Sequence, residues 1–239
     1  MTFRIIAFAF FVVTTSHNLV AQYFQQDVAY EINASIDTNH LITATCDIAY
    51  TNNSNQTLDT IYIHLWANAF QDRLSQYSEQ ALRLGNLDYY FADDRELGGY
   101  EGLTVRMNGS PMQLYSKDGN KDVVYFLPPK GITPNTQLEL ACAYQLQLPR
   151  KFSRLGWKTY DQFLTYWYPS IATYDDRGWH PMPYLDMGET YMEVANYKVI
   201  LDGGFEHLIS STPATKHLRF DDQRKCTTHR GHVKRSSKS

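Results

Sequence analysis

The stretch that most restricts how this chain can fold is QLELACAYQLQL, residues 137–148, where Leu138, Leu140, Cys142, Tyr144, Leu146 and Leu148 occupy every second position. A period of two places those side chains on one face of an extended strand and the polar set on the other. The same alternation recurs at 30–37 (Tyr30, Ile32, Ala34, Ile36) and at 41–50 (Ile42, Ala44, Cys46, Ile48, Tyr50). Thr38-Asn39-His40 between these two runs is turn chemistry. The pair therefore predicts an antiparallel hairpin with one buried face.

The remaining segments extend that scaffold. After the turn TNNSNQ, residues 58–66 set Ile61, Ile63 and Leu65 against Tyr62, His64 and Trp66, which reads as a third strand of a meander. Residues 72–85 break the pattern. Leu74, Tyr77, Ala81 and Leu84 recur at helical spacing, with Asp72 as cap and Gly85 as stop, giving a short helix across one end of the sheet. Residues 88–102 are irregular. A strand at 103–107 turns at Asn108-Gly109, a strong hairpin signal, and 112–115 answers it. Strands at 123–127 and 197–201 follow. About eight short strands and a single short helix make the chain mainly β, an antiparallel β-sandwich. No repeat or low-complexity linker divides residues 22–212, which read as one domain.

Both ends differ from this body. Arg4 precedes the unbroken apolar run 5–13, and a polar start follows Ala21, which is the pattern of a secretory signal over 1–21. Nine apolar residues fall far short of the roughly 20 that span a bilayer, so no stable membrane span is expected. The expected location is outside the cytoplasm, periplasmic or secreted. From Lys216 onward eight Lys or Arg stand against two Asp, a net +6 that leaves −9 for everything before it. Residues 213–239 read as a basic tail, disordered or translated out of frame. The overall charge of −3 gives no reason to expect a nucleic-acid partner.

Few residues suggest chemistry. Cys46 and Cys142 both fall on apolar strand faces, as buried thiols packing like small hydrophobes or as a disulfide across the core. With Cys226 the cysteines number three, too few and too odd for a disulfide scaffold. His64 between Ile63 and Leu65 reads as a hydrogen-bonded structural histidine. His180 lies near Asp175, Asp176, Asp186 and Glu189 in sequence, but no ligand-spaced pair supports a metal. Cys226, His229 and His232 form a C-x-x-H-x-x-H string inside the charged tail. A Gly-rich phosphate loop, G-x-S-x-G, H-E-x-x-H and G-x-M-E-N are all absent.

Residues 162–194 stand apart, dense in aromatics and holding Pro169, Pro181 and Pro183 of the chain's nine prolines. Proline removes ladder donors and fixes φ, so the segment is confined to sheet edges and ordered loops, which commonly form contact surfaces. Within it, WYPSIATYDDRGWHPMPYLDMGETY resembles the N-terminal β-sandwich of aminopeptidase-N-like (gluzincin) zinc metallopeptidases, in the form found in their exported bacterial branch. YTNNSNQTLDTIYIHLWANAF at 50–70 and GYEGLTVRMNG at 99–109 agree with it, and the likeness runs from about Tyr23 to Ser211.

The resemblance implies a noncatalytic domain that packs on a catalytic metallopeptidase domain and walls its substrate cleft. It implies that Tyr166, Trp167, Tyr168 and Pro169 form the cleft wall, and that Trp179, His180, Pro181, Pro183 and Tyr184 face the other domain. Peptide substrate and zinc belong to the full-length family. With H-E-x-x-H and G-x-M-E-N both missing, this chain is expected to carry no cofactor and no peptidase activity of its own. The alternatives are an exported carbohydrate- or peptide-binding sandwich that uses the aromatic segment as a stacking platform, or an interaction domain without a small ligand.

Overall fold

The computed structural model describes residues 24–159, 161–188, 190–202, 215–220 and 225–230, the last two stretches by their backbone alone. In chain order its strands are β1 (Asp27–Ile36), β2 (Leu41–Thr51), β3 (Ile61–His64), β4 (Gly99–Met107), β5 (Ser110–Pro111), β6 (Tyr115–Lys117), β7 (Asn120–Phe126) and β8 (Gln137–Gln147). Then come β9 (Gly156–Lys158), β10 (Asp161–Phe163), β11 (Ser170–Ile171), β12 (Thr173–Asp175), β13 (Gly178–His180), β14 (Ala195–Asp202), β15 (Thr215–Phe220) and β16 (Lys225–Arg230). The helix α1 (Gln76–Arg83) lies between β3 and β4.

The alternating strands build the larger sheet, ordered β15-β16-β14-β1-β2-β8-β4-β5. Its pairings are antiparallel except β1 with β14, which run parallel. Along β1, β2 and β8 every second residue is buried, as the period of two requires. Across the strands the buried positions line up in rows, such as Ile32, Cys46, Cys142 and Val105. Against that face packs a smaller sheet, ordered β11-β3-β7-β6, contributing Ile61, Ile63 and Phe126 to the same core. Each such aliphatic or aromatic side chain contributes roughly 1.5–3 kcal/mol on full burial. The result is a mainly-β sandwich.

Three expectations need correction. The third strand does not continue the meander: β3 joins the smaller sheet, pairing with β7 and β11. The cause is the 51–56 turn, whose Asn52 side chain is buried and donates to Gln56 O (2.7 Å) and Ile132 O (2.8 Å), redirecting the chain to the other layer. His64 and Trp66 are 1% and 2% exposed there. The helix begins at Gln76 because Ser75 caps it, its hydroxyl accepting from Ser78 N. Asp72 instead accepts from Leu74 N and pairs with Lys121, and Leu74 and Leu84 are exposed. After Asn108-Gly109 the return strand is only Ser110–Pro111, and Tyr115–Lys117 belongs to the other sheet. β15 and β16 form a hairpin on β14, whose outer edge would otherwise present a row of unpaired backbone groups.

The expected signal, residues 1–21, lies outside the described residues. Among the described residues no helix is long and apolar enough to cross a membrane.

Candidate functional site

Residues 162–194 wrap one side of the sandwich, and the structure shows what holds each part. β11 extends the smaller sheet through Ser170 and Ile171 opposite His64 and Ile63. Ile171 N–H donates to the Tyr30 hydroxyl (3.1 Å), tying that layer to β1 of the larger sheet. The next residues form the β12–β13 hairpin. Asp175 Oδ1 accepts from Arg177 N (2.8 Å), and Gly178 takes a φ of +100° that suits glycine. Trp179 sits among Tyr174, Tyr62 and Tyr50, with ring centroids 5.0, 5.8 and 6.4 Å away.

The proline-rich stretch is anchored from below. Trp66 Nε1–H donates to Met182 O (2.9 Å), and Met182 N–H donates to His64 Nε2 (3.2 Å). That second bond makes Nε2 the acceptor and leaves the ring proton on Nδ1. His64 also stacks on Trp66 at 4.4 Å, and burial pulls it down to about 3, so it is neutral. Asp122 Oδ2 accepts from Tyr184 N (2.7 Å); its burial pushes it up to about 6. The Tyr184 hydroxyl meets Ser153 Oγ (2.8 Å), which also bonds the Asp186 carboxylate. Gln80 of α1 closes the far end, its Oε1 accepting from Asp186 N (2.8 Å) and Met187 N (2.9 Å).

A second polar cluster lies at the hairpin. His180 Nε2 donates to Asp175 Oδ1 (2.8 Å) and Tyr191 Oη to Asp175 Oδ2 (3.0 Å). Burial raises the Asp175 carboxyl, but the bonds from His180, Arg177 N and Tyr191 outweigh it and leave the group below the ordinary carboxylate value. Glu193 accepts from Tyr174 N (3.3 Å) and is pushed up to about 7, first by burial and then by the Asp175 charge. This cluster clasps the hairpin to residues 191–193. The His180 imidazole is bonded to a carboxylate, and the Tyr191 hydroxyl is bonded to that same carboxylate. Among the described residues no three His, Cys, Asp or Glu converge as a metal site.

The residues singled out from sequence separate accordingly. Trp167 and Pro169 are buried in the domain's own packing, and Tyr184 is 3% exposed against Trp66, Phe70 and Tyr77. Their side chains pack within the sandwich. Tyr166, Tyr168, Trp179, His180, Pro181 and Pro183 are half-buried. Tyr168 donates to the Tyr197 hydroxyl (2.9 Å). Tyr166 adopts φ +57°, an uncommon conformation for a bulky residue, and its hydroxyl meets Thr190 Oγ1 (2.9 Å). Asp186 serves as an anchor, Asp176 is exposed, and Glu189 lies outside the described residues. Sequence reasoning missed Asp122, Ser153, Gln80 and Glu193. Each acts on a partner far along the chain or through burial, and no local pattern marks them.

On the opposite face of the larger sheet lies an open groove of about 560 Å³, lined by Glu31, Asp47, Glu139, Arg106 and Lys198 over a floor of alanines. Lys198 pairs with Glu31 at 2.5 Å. The groove carries none of the aromatic–proline residues.

No protein-family model matches the sequence, and no curated protein matches it. Solved structures do resemble the fold. The M1 zinc metallopeptidase from Deinococcus radiodurans aligns with a TM-score of 0.45 and 13% identity, over 87% of this chain and 39% of that one. A two-domain M1 zinc metallopeptidase bound to L-arginine gives 0.45 and 11%, over 88% and 39%. Native yeast LTA4 hydrolase gives 0.43 and 10%, over 91% and 29%. This chain thus spans about 39% of the length of the first two structures and less of the third.

Proposed function

We propose that these residues supply the noncatalytic N-terminal domain of an exported zinc metallopeptidase of the aminopeptidase N type, packing on a catalytic domain and walling one side of its substrate cleft. The observation that carries this reading is the W-Y-P…G-W-H-P-x-P-Y-L-D-x-G-E phrase, a long and specific sequence resemblance. Its folded form supports the reading. The phrase is ordered along the sandwich by anchors from both sheets and α1, yet leaves Tyr166, Tyr168, Trp179, His180, Pro181 and Pro183 partly open, with Met187, Tyr191 and Val194 exposed. A segment held that rigidly from beneath and left part apolar above is suited to receive another domain. Catalysis then belongs to residues outside these 239, which hold no zinc motif.

The coding DNA that follows, read in all three frames, is expected to contain H-E-x-x-H within a few hundred codons. Its absence would sink the proposal, as would aminopeptidase activity of this chain alone on an aminoacyl-p-nitroanilide with zinc supplied.

The groove on the larger sheet favours a second reading, a binding module, because its volume suits a small ligand. The aromatic platform imagined for such a module is weakened by Trp167 and Tyr184 turning inward. Glycan and peptide titrations followed by tryptophan fluorescence separate the two readings.

A further inference from the structure

Cys46 and Cys142 face each other across β2 and β8 as direct cross-strand partners. Both are free thiols, 0% and 2% exposed, flanked in the same row by Ile32 and Val105. The class of this pair can be read from the ends of the same ladder. Leu148 N–H donates to His40 O (3.0 Å) and Asn52 N–H to Thr136 O (3.1 Å), both in the register that joins Cys46 to Cys142. Hydrogen-bonded and non-hydrogen-bonded pairs alternate along an antiparallel ladder. Residues 40 and 52 each lie an even number of positions from Cys46, so the two cysteines form a hydrogen-bonded pair. Opposed Cβ atoms in a sheet stand roughly 4.5–5.5 Å apart, against about 3.8 Å in a relaxed disulfide. Hydrogen-bonded pairs lie at the wide end of that range, so a bond needs the two strands drawn inward by on the order of 1.5 Å, and it carries strain that makes it easier to reduce.

We propose that Cys46 and Cys142 are an oxidisable pair, forming a reversible cross-strand disulfide that staples the centre of the larger sheet. The chemistry balances with a disulfide oxidant such as oxidised glutathione. One cysteine thiolate attacks a sulfur of the oxidant and expels a thiol, and the second cysteine then attacks the mixed disulfide and expels the other thiol. Two protons leave the cysteines, and two electrons pass to the oxidant.

The fold decides when this happens. In the finished sheet both sulfurs are shielded from solvent, and burial raises both thiols, Cys142 to about 12, so little thiolate exists. Closure belongs to the chain before β8 seals against β2. Once made, the bond is reached by reductant only when those strands part. It ties together residues 46 and 142, and a loop on the order of 100 residues lies near the upper end of the stabilisation that a cross-link gives.

The test uses the full chain with Cys226→Ser, so that only this pair can react. Protein unfolded under dithiothreitol is refolded either in oxidised glutathione or in excess dithiothreitol, then alkylated in denaturant and weighed. The expected result is an oxidised form that takes up no alkyl group and yields a linked 46–142 peptide on unreduced digestion. Its thermal midpoint should exceed that of the reduced form by on the order of 10 °C. Dithiothreitol should open it far faster in moderate urea than in native buffer. Two alkylated cysteines after oxidising refolding, glutathione held as a mixed disulfide, or a linked form no more heat-stable than the dithiol would each overturn the proposal.

Discussion

Three buried or half-buried ionisable side chains around the aromatic–proline segment pull stability in opposite directions with pH. His64 is depressed to about 3 from its ordinary 6.5, so the unfolded chain takes the proton first, and stability falls as pH drops below about 6.5. Glu193 is raised to about 7 from 4.5, so the folded state holds its proton more tightly. That contribution is complete below about 4.5 and is lost as pH climbs through 7. Asp122 acts in the same sense between 3.8 and about 6. Glu193→Gln should therefore flatten the loss of stability between about pH 5 and 7.5. The difference from wild type is expected to be about 1 kcal/mol after allowing for solvent screening of a half-buried group. Urea midpoints across that range measure it, and parallel curves for wild type and variant would refute it. None of this was legible in the sequence. His64 reads correctly as a structural histidine from its apolar neighbours, but Glu193 looks like any polar residue before a strand. Its character comes from Tyr174 and Asp175, 19 and 18 positions away, brought close by the hairpin.

Among the elements, α1 is short and half exposed, and one side chain gives it much of its purpose. Gln80 takes two backbone donors, from Asp186 and Met187, and returns a bond to Met187 O at 2.9 Å. Gln80→Ala is expected to cost about 1–2 kcal/mol, with faster amide hydrogen exchange at Asp186 and Met187 and unchanged exchange along β8. A close approach of backbones sets another limit. A Cβ on Gly98 would stand 2.2 Å from Gln147 O, where the 94–98 turn crosses β8. Gly98→Ala should destabilise by at least about 2 kcal/mol, read by denaturant unfolding. The strands themselves were readable because a period of two is written locally, residue by residue. Their partners were not. Nothing near Ile61 says that β3 leaves the first sheet, because that decision rests on Asn52 reaching Ile132 O, 80 positions away. The helix start was misplaced for a smaller reason: both Asp72 and Ser75 can cap, and only the course of the chain chooses Ser75.

At the scale of the whole molecule, apolar exposure gathers around α1 and the loops that follow it. Leu74 is 93% exposed, Phe91 74% and Met187 64%. On a single domain such a patch promotes self-association. The purified domain is expected to enhance the fluorescence of an apolar dye and to sediment faster with concentration. Leu74→Ser with Phe91→Ser should cut the dye signal by about half with stability changed by less than about 0.5 kcal/mol. A domain that binds no dye and stays monomeric would contradict the expectation. The sandwich was legible as a class, from the number and spacing of alternating runs, whereas its mixed topology was not. β1 lies inside the sheet, with β14 beside it in parallel and some 160 residues of chain between them. On the ribosome, β1, β2, β4 and β8 can assemble before β14 is made, and through that interval β1 stands as an open, extended edge. The last long strand to leave the ribosome before the basic stretch is the one that shuts it. Any interruption of synthesis between residues 150 and 195 would release a sheet that lacks three of its eight strands and has one side unguarded.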